Sequence, residues 1–426
     1  MAYDFSTDPD FADQLDWARR FVVDEIEPLD LLLPGRHYAP PTPAIAKIVG
    51  PLKEQVRVHG LWAYHLPPEL GGSGGSAVRL AQLNEIVGRS WWGPVIFGIQ
   101  APDTGNAEIL AKYGTASQRE RFLEPLLNGE IFSCFSMTEP HGGADPGVFT
   151  TTATRDGDDW VIRGTKFFSS NARWASFFIV MAVTDPDQPV HRGMSMFLID
   201  ADTPGIEIEK NFGLFSEPVG TGSHALVHYR DVRVPAANLL GDEGGAFAVA
   251  QVRLGGGRLH HAMRTVGLCQ RAFDMTCERA LSRHTKGSLL ADKQIVQTHV
   301  AESWQALHQF RLQVMHAAWT VDHSDERAAR EVIAGVKVAA PRALHEVVSR
   351  CIQVHGALGL SNQLPLGEWV QQVYALSLAD GPVEVHQMNL AKSLLKAHKP
   401  AEGPWPSELI DTRLEKARQR YGEVLA

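Results

Sequence analysis

Cysteine is scarce, and what there is does not cluster. The four residues, Cys134, Cys269, Cys277 and Cys351, form no C-x-x-C pair and show no metal-ligand spacing, so no metal site is expected. The spread suits reduced thiols in a reducing compartment. Basic excess is lacking too. A net charge of −9 and a pI near 6.1 leave no basic face for nucleic acid, although an acidic chain can still bind an anion locally. No apolar run approaches the roughly 20 residues that span a bilayer, so no membrane partner is expected. The opening MAYDFSTDPDFADQLD has no charged n-region before an apolar run, and the closing EVLA is not a peroxisomal address. The expected location is the cytoplasm. A dinucleotide fingerprint is also missing: Gly255-Gly256-Gly257 does not fit G-x-G-x-x-G and no βαβ unit surrounds it.

What is present is an ordinary globular composition, 44% apolar and 21% charged, on a chain long enough for two or three domains. Phe11, Leu15, Ala18, Phe21 and Val22 follow helical spacing, and a second helix is expected near 44–59 after a proline-rich loop. Near Ser133 the character changes. From Val148 to His228 the chain alternates and is rich in Thr, Val, Ile and Phe, with a hairpin signal at Asp156-Gly157-Asp158. From Gly244 to Lys399 long helical patterns return, with Leu344, Val347, Val348, Cys351 and Val354 on one stripe. The expected organisation is a helical segment 1–132, a β segment 133–240, a helical bundle 241–400 and a tail 401–426 with a short helix. The fold class is α+β.

Several motifs have competing readings. Gly71-Gly72-Ser73-Gly74-Gly75 matches G-x-S-x-G formally, and His141-Gly142-Gly143 resembles an oxyanion motif. A nucleophile elbow needs a strand before the serine, and WAYHLPPEL with two prolines is none, so a flexible loop is the better reading. His260-His261 are adjacent, and neighbouring residues on a helix point about 100° apart, which suits one packed and one pocket histidine better than a shared ion. SCFSMTEPHGGAD, 133–145, reads either as a plain loop or as a cradle of backbone N–H groups with the Thr138 hydroxyl. TKFFSSNA, 165–172, reads either as a strand entering a turn or as an aromatic face beside hydroxyls, the pattern that stacks on a heteroaromatic ring. LSLADGPVEVH, 376–386, breaks a helical stretch at Asp380-Gly381-Pro382. By itself that carboxylate is a helix cap before a proline turn.

Taken in order, APDTGNAEIL, TEPHGGAD, GTKFFSSN, VRVPAANLLGDEGGAF, GRLHHAMRTVGL, IQVHGALGL and LADGPVEVH resemble the signatures of the acyl-CoA dehydrogenase family, over about residues 11–396. The likeness is greatest to the branch of animal family members ten and eleven and their bacterial relatives. It implies a helical N-terminal domain, a β-barrel-like middle domain, a helical-bundle C-terminal domain, FAD, and a homodimer or homotetramer. It assigns Phe135, Ser136, Met137 and Thr138 to the flavin's pyrimidine side, Phe168 to the ring face in place of the usual Trp, and Ser170 to the hydroxyl near N5 in place of Thr. Arg283, Thr285, Gln294, Gln353 and Gly356 match positions that reach the FAD of a neighbouring subunit; an arginine's planar fork suits diphosphate oxygens.

The same resemblance turns the helix break into a general base: Asp380 stands where the family usually has glutamate, followed by Gly381 at the substrate. Arg258 matches an arginine that holds this carboxylate or binds CoA. The implied reaction is α,β-dehydrogenation of an acyl-CoA, with Asp380 taking the α-proton, flavin N5 the β-hydride, and electron-transferring flavoprotein the electrons. Burial is expected to raise the Asp380 pKa toward working pH. Departures from the family pattern are the shorter aspartate, Pro382 and Val383 after it, Ala144 in place of serine, and Lys286 in place of an aromatic. A flavin oxidase or monooxygenase on a non-CoA substrate, and a catalytically silent flavoprotein scaffold, are the alternatives.

Overall fold

The computed structural model describes residues 3–425 apart from 36, 38 and 216. Helices Pro9–Phe21, Pro43–Val58 and Ala77–Val87 each start at a side-chain cap, Asp8, Thr42 and Ser76, that accepts from a backbone N–H in the first turn. Each such cap contributes about 1 kcal/mol. Their apolar stripes, such as Ile45, Val49, Leu52 and Val56, are buried at helical spacing. Helix Asp103–Tyr113 follows and is buried along much of its length.

The middle segment forms, among the described residues, a seven-stranded sheet: β1 (Ser133–Ser136), β2 (Thr152–Asp156), β3 (Asp159–Ser170), β4 (Phe177–Val183), β5 (Met194–Asp200), β6 (Ile206–Phe212) and β7 (His224–Pro235). β1 pairs with β4, β4 with β2, β2 with β3, and β3 back to β1. That ring of pairings gives the sheet the barrel-like closure expected from sequence. The continuous apolar run FFIVMAV is β4, buried on both faces. Phe177, Ile179 and Met181 face the helices, whereas Phe178, Val180 and Ala182 face a second core with Trp160, Phe197 and Tyr229.

Helices Ala246–Ser282, Gln294–His323, Glu326–His355, Leu366–Leu378 and Val383–Lys396 follow. The first core runs without interruption through the N-terminal helices, one face of the sheet and these C-terminal helices. The three segments are therefore locked against one another by shared apolar burial, about 1.5–3 kcal/mol for each fully buried aliphatic side chain. The expected stripe Leu344, Val347, Val348, Cys351 and Val354 is buried. The tail carries helix Ile410–Leu425, whose Ile410, Leu414 and Tyr421 are exposed. Among the described residues no helix is long and apolar enough to cross a membrane.

Candidate active site

Two strands bring the proposed cofactor segments together. Phe135 of β1 is the register partner of Ser170 of β3. Just past β1, the Thr138 carbonyl accepts from Phe167 N at 2.8 Å. Along β3 the pairing to β7 slips between Lys166 and Ser169, which marks a β-bulge at Phe167 and Phe168. Bulges re-aim side chains, and Phe168, at φ 53°, is left 46% exposed while its strand neighbours Lys166 and Ser169 are buried. Its ring packs edge-on to Phe167, with centroids 4.4 Å apart. The Ser170 hydroxyl lies 2.9 Å from His224 Nδ1. Ser136 points the other way: its hydroxyl accepts from Tyr229 OH at 2.8 Å and lies 2.9 Å from the Ser169 hydroxyl. Met137 and Thr138 are half-buried at the strand end.

A buried ion pair fixes that end. Lys166 Nζ donates to the Met137 carbonyl at 2.7 Å and to Glu139 Oε1 at 2.9 Å. Glu139 also accepts from Thr150 and Thr151 N–H groups. Burial opposes the Glu139 charge, but Lys166 and these bonds outweigh it and hold the carboxyl at about 2.

Asp380 sits where the sequence breaks its helix. Helix Leu366–Leu378 ends, Asp380 takes φ 55°, Gly381 takes φ 101°, and Pro382 opens helix Val383–Lys396. Aspartate tolerates the left-handed region better than most side chains, and glycine is at home there. Arg258 Nε donates to the Asp380 backbone carbonyl at 2.8 Å, and His386 Nε2 lies 3.3 Å from the same oxygen. Lys337 Nζ donates to the carbonyl of Leu376 in the last helical turn. Arg258 thus pins the backbone of the break. The carboxylate is met by a residue the sequence reading passed over: Arg253 Nη1 reaches Asp380 Oδ1 at 3.4 Å. His261 Nε2 stands 4.0 Å from Oδ2. His260 is buried, with Nε2 3.5 Å from Glu108 Oε1, so the pair divides into one packed and one cleft histidine.

The expected rise in the Asp380 pKa is corrected. Burial does push it up, but Arg253, His261, Arg258 and Lys337 together hold it below the ordinary carboxylate value. His261 is itself pushed down to about 4 by burial, so at neutral pH the cations around Asp380 are the two arginines and the lysine. Contact between Asp380 and the strand segment runs through Arg253, whose guanidinium lies 4.2 Å over the Phe135 ring.

Arg283, Thr285, Gln294, Gln353 and Gly356 lie elsewhere. They are exposed, next in sequence to a small core of Ala280, Val296 and Val354 that joins the ends of three C-terminal helices. Within one chain they are not brought to Phe168 or Asp380.

The comparisons agree with this architecture. Family models described as acyl-CoA dehydrogenase N-terminal, middle and C-terminal domains match residues 10–130, 134–223 and 244–395. The probable acyl-CoA dehydrogenase FadE2 of Mycobacterium tuberculosis is 41% identical over 86% of this chain and 88% of its own. Acyl-CoA dehydrogenase family member 11 of Rattus norvegicus is 39% identical over 82% of this chain, which spans only 45% of that longer protein. A solved structure from Mycobacterium abscessus superposes with TM-score 0.85 at 36% identity, covering 92% of this chain and 100% of that one. A glutaryl-coenzyme A dehydrogenase in complex with glutaryl-CoA gives TM-score 0.79 at 26% identity over 93% of this chain and 98% of that one. On these matches, extending across all three segments, the chain belongs to the acyl-CoA dehydrogenase family of oxidoreductases.

Proposed function

We propose that the protein dehydrogenates an acyl-CoA thioester between its α and β carbons, with Asp380 as the general base. The observation that carries this reading is a buried carboxylate at a helix break, linked through Arg253 to the strand segment that presents Phe168 and Ser170. The residues present fit FAD. A half-exposed aromatic face, a hydroxyl beside it and the half-buried Met137–Thr138 backbone at its margin form a donor set for a polar planar ring. When bound, FAD supplies the hydride acceptor.

The chain's own work is to hold and move a proton. Asp380 is ionised at neutral pH, so it is ready to take the α-proton without first losing one of its own. Its N–H follows the last helical bond, Ala379 N to Ala375 O, and is free of the helix ladder to donate to the thioester carbonyl. Loss of one such oxyanion donor costs about 2.7–4 kcal/mol of transition-state stabilisation. Gly381 keeps the approach to that N–H clear of a side chain. Arg258 and Lys337 anchor the two ends of the break. Arg283, Thr285, Gln294, Gln353 and Gly356 form an exposed face suited to the FAD of a second subunit in a homodimer or homotetramer. Electron-transferring flavoprotein is the proposed acceptor, and the cytoplasm the proposed location.

Mixing the flavin-loaded protein with a panel of acyl-CoAs under anaerobic conditions tests the reading. Flavin absorbance should bleach with the wild type. Asp380→Asn should retain FAD and lose the bleaching rate by several orders of magnitude. Equal bleaching by the variant would remove Asp380 from the chemistry.

A further inference from the structure

The stretch APDTGNAEIL has no role in the reading above, yet its polar residues run in a line toward the base. Asp103 Oδ1 accepts from Ser133 N at 2.9 Å and from Ser133 Oγ at 2.5 Å. Ser133 Oγ in turn accepts from Asn106 Nδ2 at 2.8 Å. Asn106 Oδ1 accepts from Arg253 Nε at 3.1 Å, and Arg253 Nη1 donates to Asp380 Oδ1 at 3.4 Å. Asp103, Asn106 and Ser133 are all buried. Donor meets acceptor at every step. Turning the Asn106 amide over would set its NH2 against the Arg253 N–H, so the relay admits one sense only. Two further contacts confine the arginine. Its guanidinium lies on the Phe135 ring, and a Cβ added at Gly105 would come within 3.0 Å of Arg253 Cγ.

We propose that Arg253, held by Asp103, Ser133 and Asn106, is the positioning residue for Asp380: it fixes the direction of the carboxylate and supplies its counter-charge. The proposal rests on the reading of Asp380 as the base. The charged and titratable groups around the carboxylate are Arg253, Arg258 and His261 from helix Ala246–Ser282, Lys337 from Glu326–His355 and His386 from Val383–Lys396. Arg258 and His386 meet the backbone carbonyl of Asp380, and Lys337 meets that of Leu376. His261 stands 4.0 Å off. Arg253 alone among the described residues places a donor on a carboxylate oxygen. Glu108, on the helix behind Arg253, is pushed up to about 8 by burial and Asp103, at the far end of the relay, to about 6, so at pH 7 Asp103 is the other carboxylate that draws on the arginine's charge.

The test compares wild type, Arg253→Gln, Arg253→Lys and Asn106→Ala as holoenzymes. Two readouts are taken against pH: the rate of flavin reduction by an acyl-CoA in a single turnover, and the infrared carboxyl band that disappears in Asp380→Asn. In Arg253→Gln the acid limb and the infrared titration should both move up by about 1–3 pH units, the span one lost opposite charge commands. Arg253→Lys should fall between, because it keeps the charge and loses the planar fork. Asn106→Ala keeps the charge but frees the arginine, so its acid limb should stay put while the plateau rate falls by about tenfold or more. An Arg253→Gln protein with wild-type flavin content and an unmoved limb and band would overturn the proposal. If that variant does not fold, wild-type profiles and plateau rates in both Arg253→Lys and Asn106→Ala would overturn it. Failure of the base reading looks different: Asp380→Asn would itself stay active.

Discussion

At Gly381 the backbone lies at φ 101°, and a Cβ there would stand 2.9 Å from His386 Nε2. Both facts demand glycine, and both act on the residue that follows the carboxylate. Gly381→Ala should cost about 1–3 kcal/mol in backbone strain and side-chain displacement. The expected result is a modest loss of thermal midpoint with a much larger loss of flavin reduction rate, read by melting and rapid mixing on the same preparation. A fall in stability with an unchanged rate would detach Gly381 from the aim of Asp380. The helix break was legible in the sequence because Asp-Gly-Pro interrupts an apolar helical pattern locally, whereas the role of its carboxylate was implied only by the family resemblance. Arg253 was not legible. It is one arginine in QVRLGGGR, and its partner lies 127 residues away. Only its place on the helix face with Gly257 and His261 hints at the meeting. The same distance hid the sign of the Asp380 shift, because burial is readable from an apolar context while the cations that outweigh it come from other helices.

At the scale of elements, the end of β1 depends on Lys166. The strand pattern of TKFFSSNA was readable, and so was the exposed aromatic. The bulge that turns Phe168 outward was not, since it arises from the register with β7. Lys166 is fully buried and ties β3 to both the Met137 carbonyl and Glu139. Lys166→Met leaves the Glu139 carboxylate buried without its cation, a change that costs about 3–5 kcal/mol. The variant should melt lower and retain less FAD, because the 137–138 segment loses its anchor. Adding Glu139→Gln should recover part of the stability, since the uncompensated charge is gone. Thermal melting and flavin-to-protein ratio check both. A double variant less stable than Lys166→Met would contradict the assignment of the cost to an unpaired charge.

At the scale of the whole molecule, burial of titratable groups where the helical segments meet sets a pH dependence. Burial pushes His65 down to about 3, His261 and His386 to about 4, and His260 well below the ordinary histidine value of 6.5. The unfolded chain takes up these protons first, so the stability they confer is full above 6.5 and is lost as pH falls toward about 4. Asp103 at about 6 and Glu108 at about 8 act the other way, since burial keeps their protons on in the folded state. The histidines prevail at acid pH. The thermal midpoint should therefore drop as pH falls below 6.5. Glu108→Gln should steepen the drop between 6.5 and about 4.5, because the proton that burial keeps on Glu108 opposes the histidines there. A midpoint insensitive to acid would contradict the burial of these histidines. All three segments of the chain converge on one carboxylate, and its role is tested most directly by α-proton exchange. The flavin-loaded protein is incubated with an acyl-CoA in heavy water without an electron acceptor, and deuterium at the α-carbon is followed by mass spectrometry. Wild-type protein should incorporate deuterium, and Asp380→Asn with equal flavin content should match the uncatalysed background. Equal incorporation by the two proteins would contradict the account.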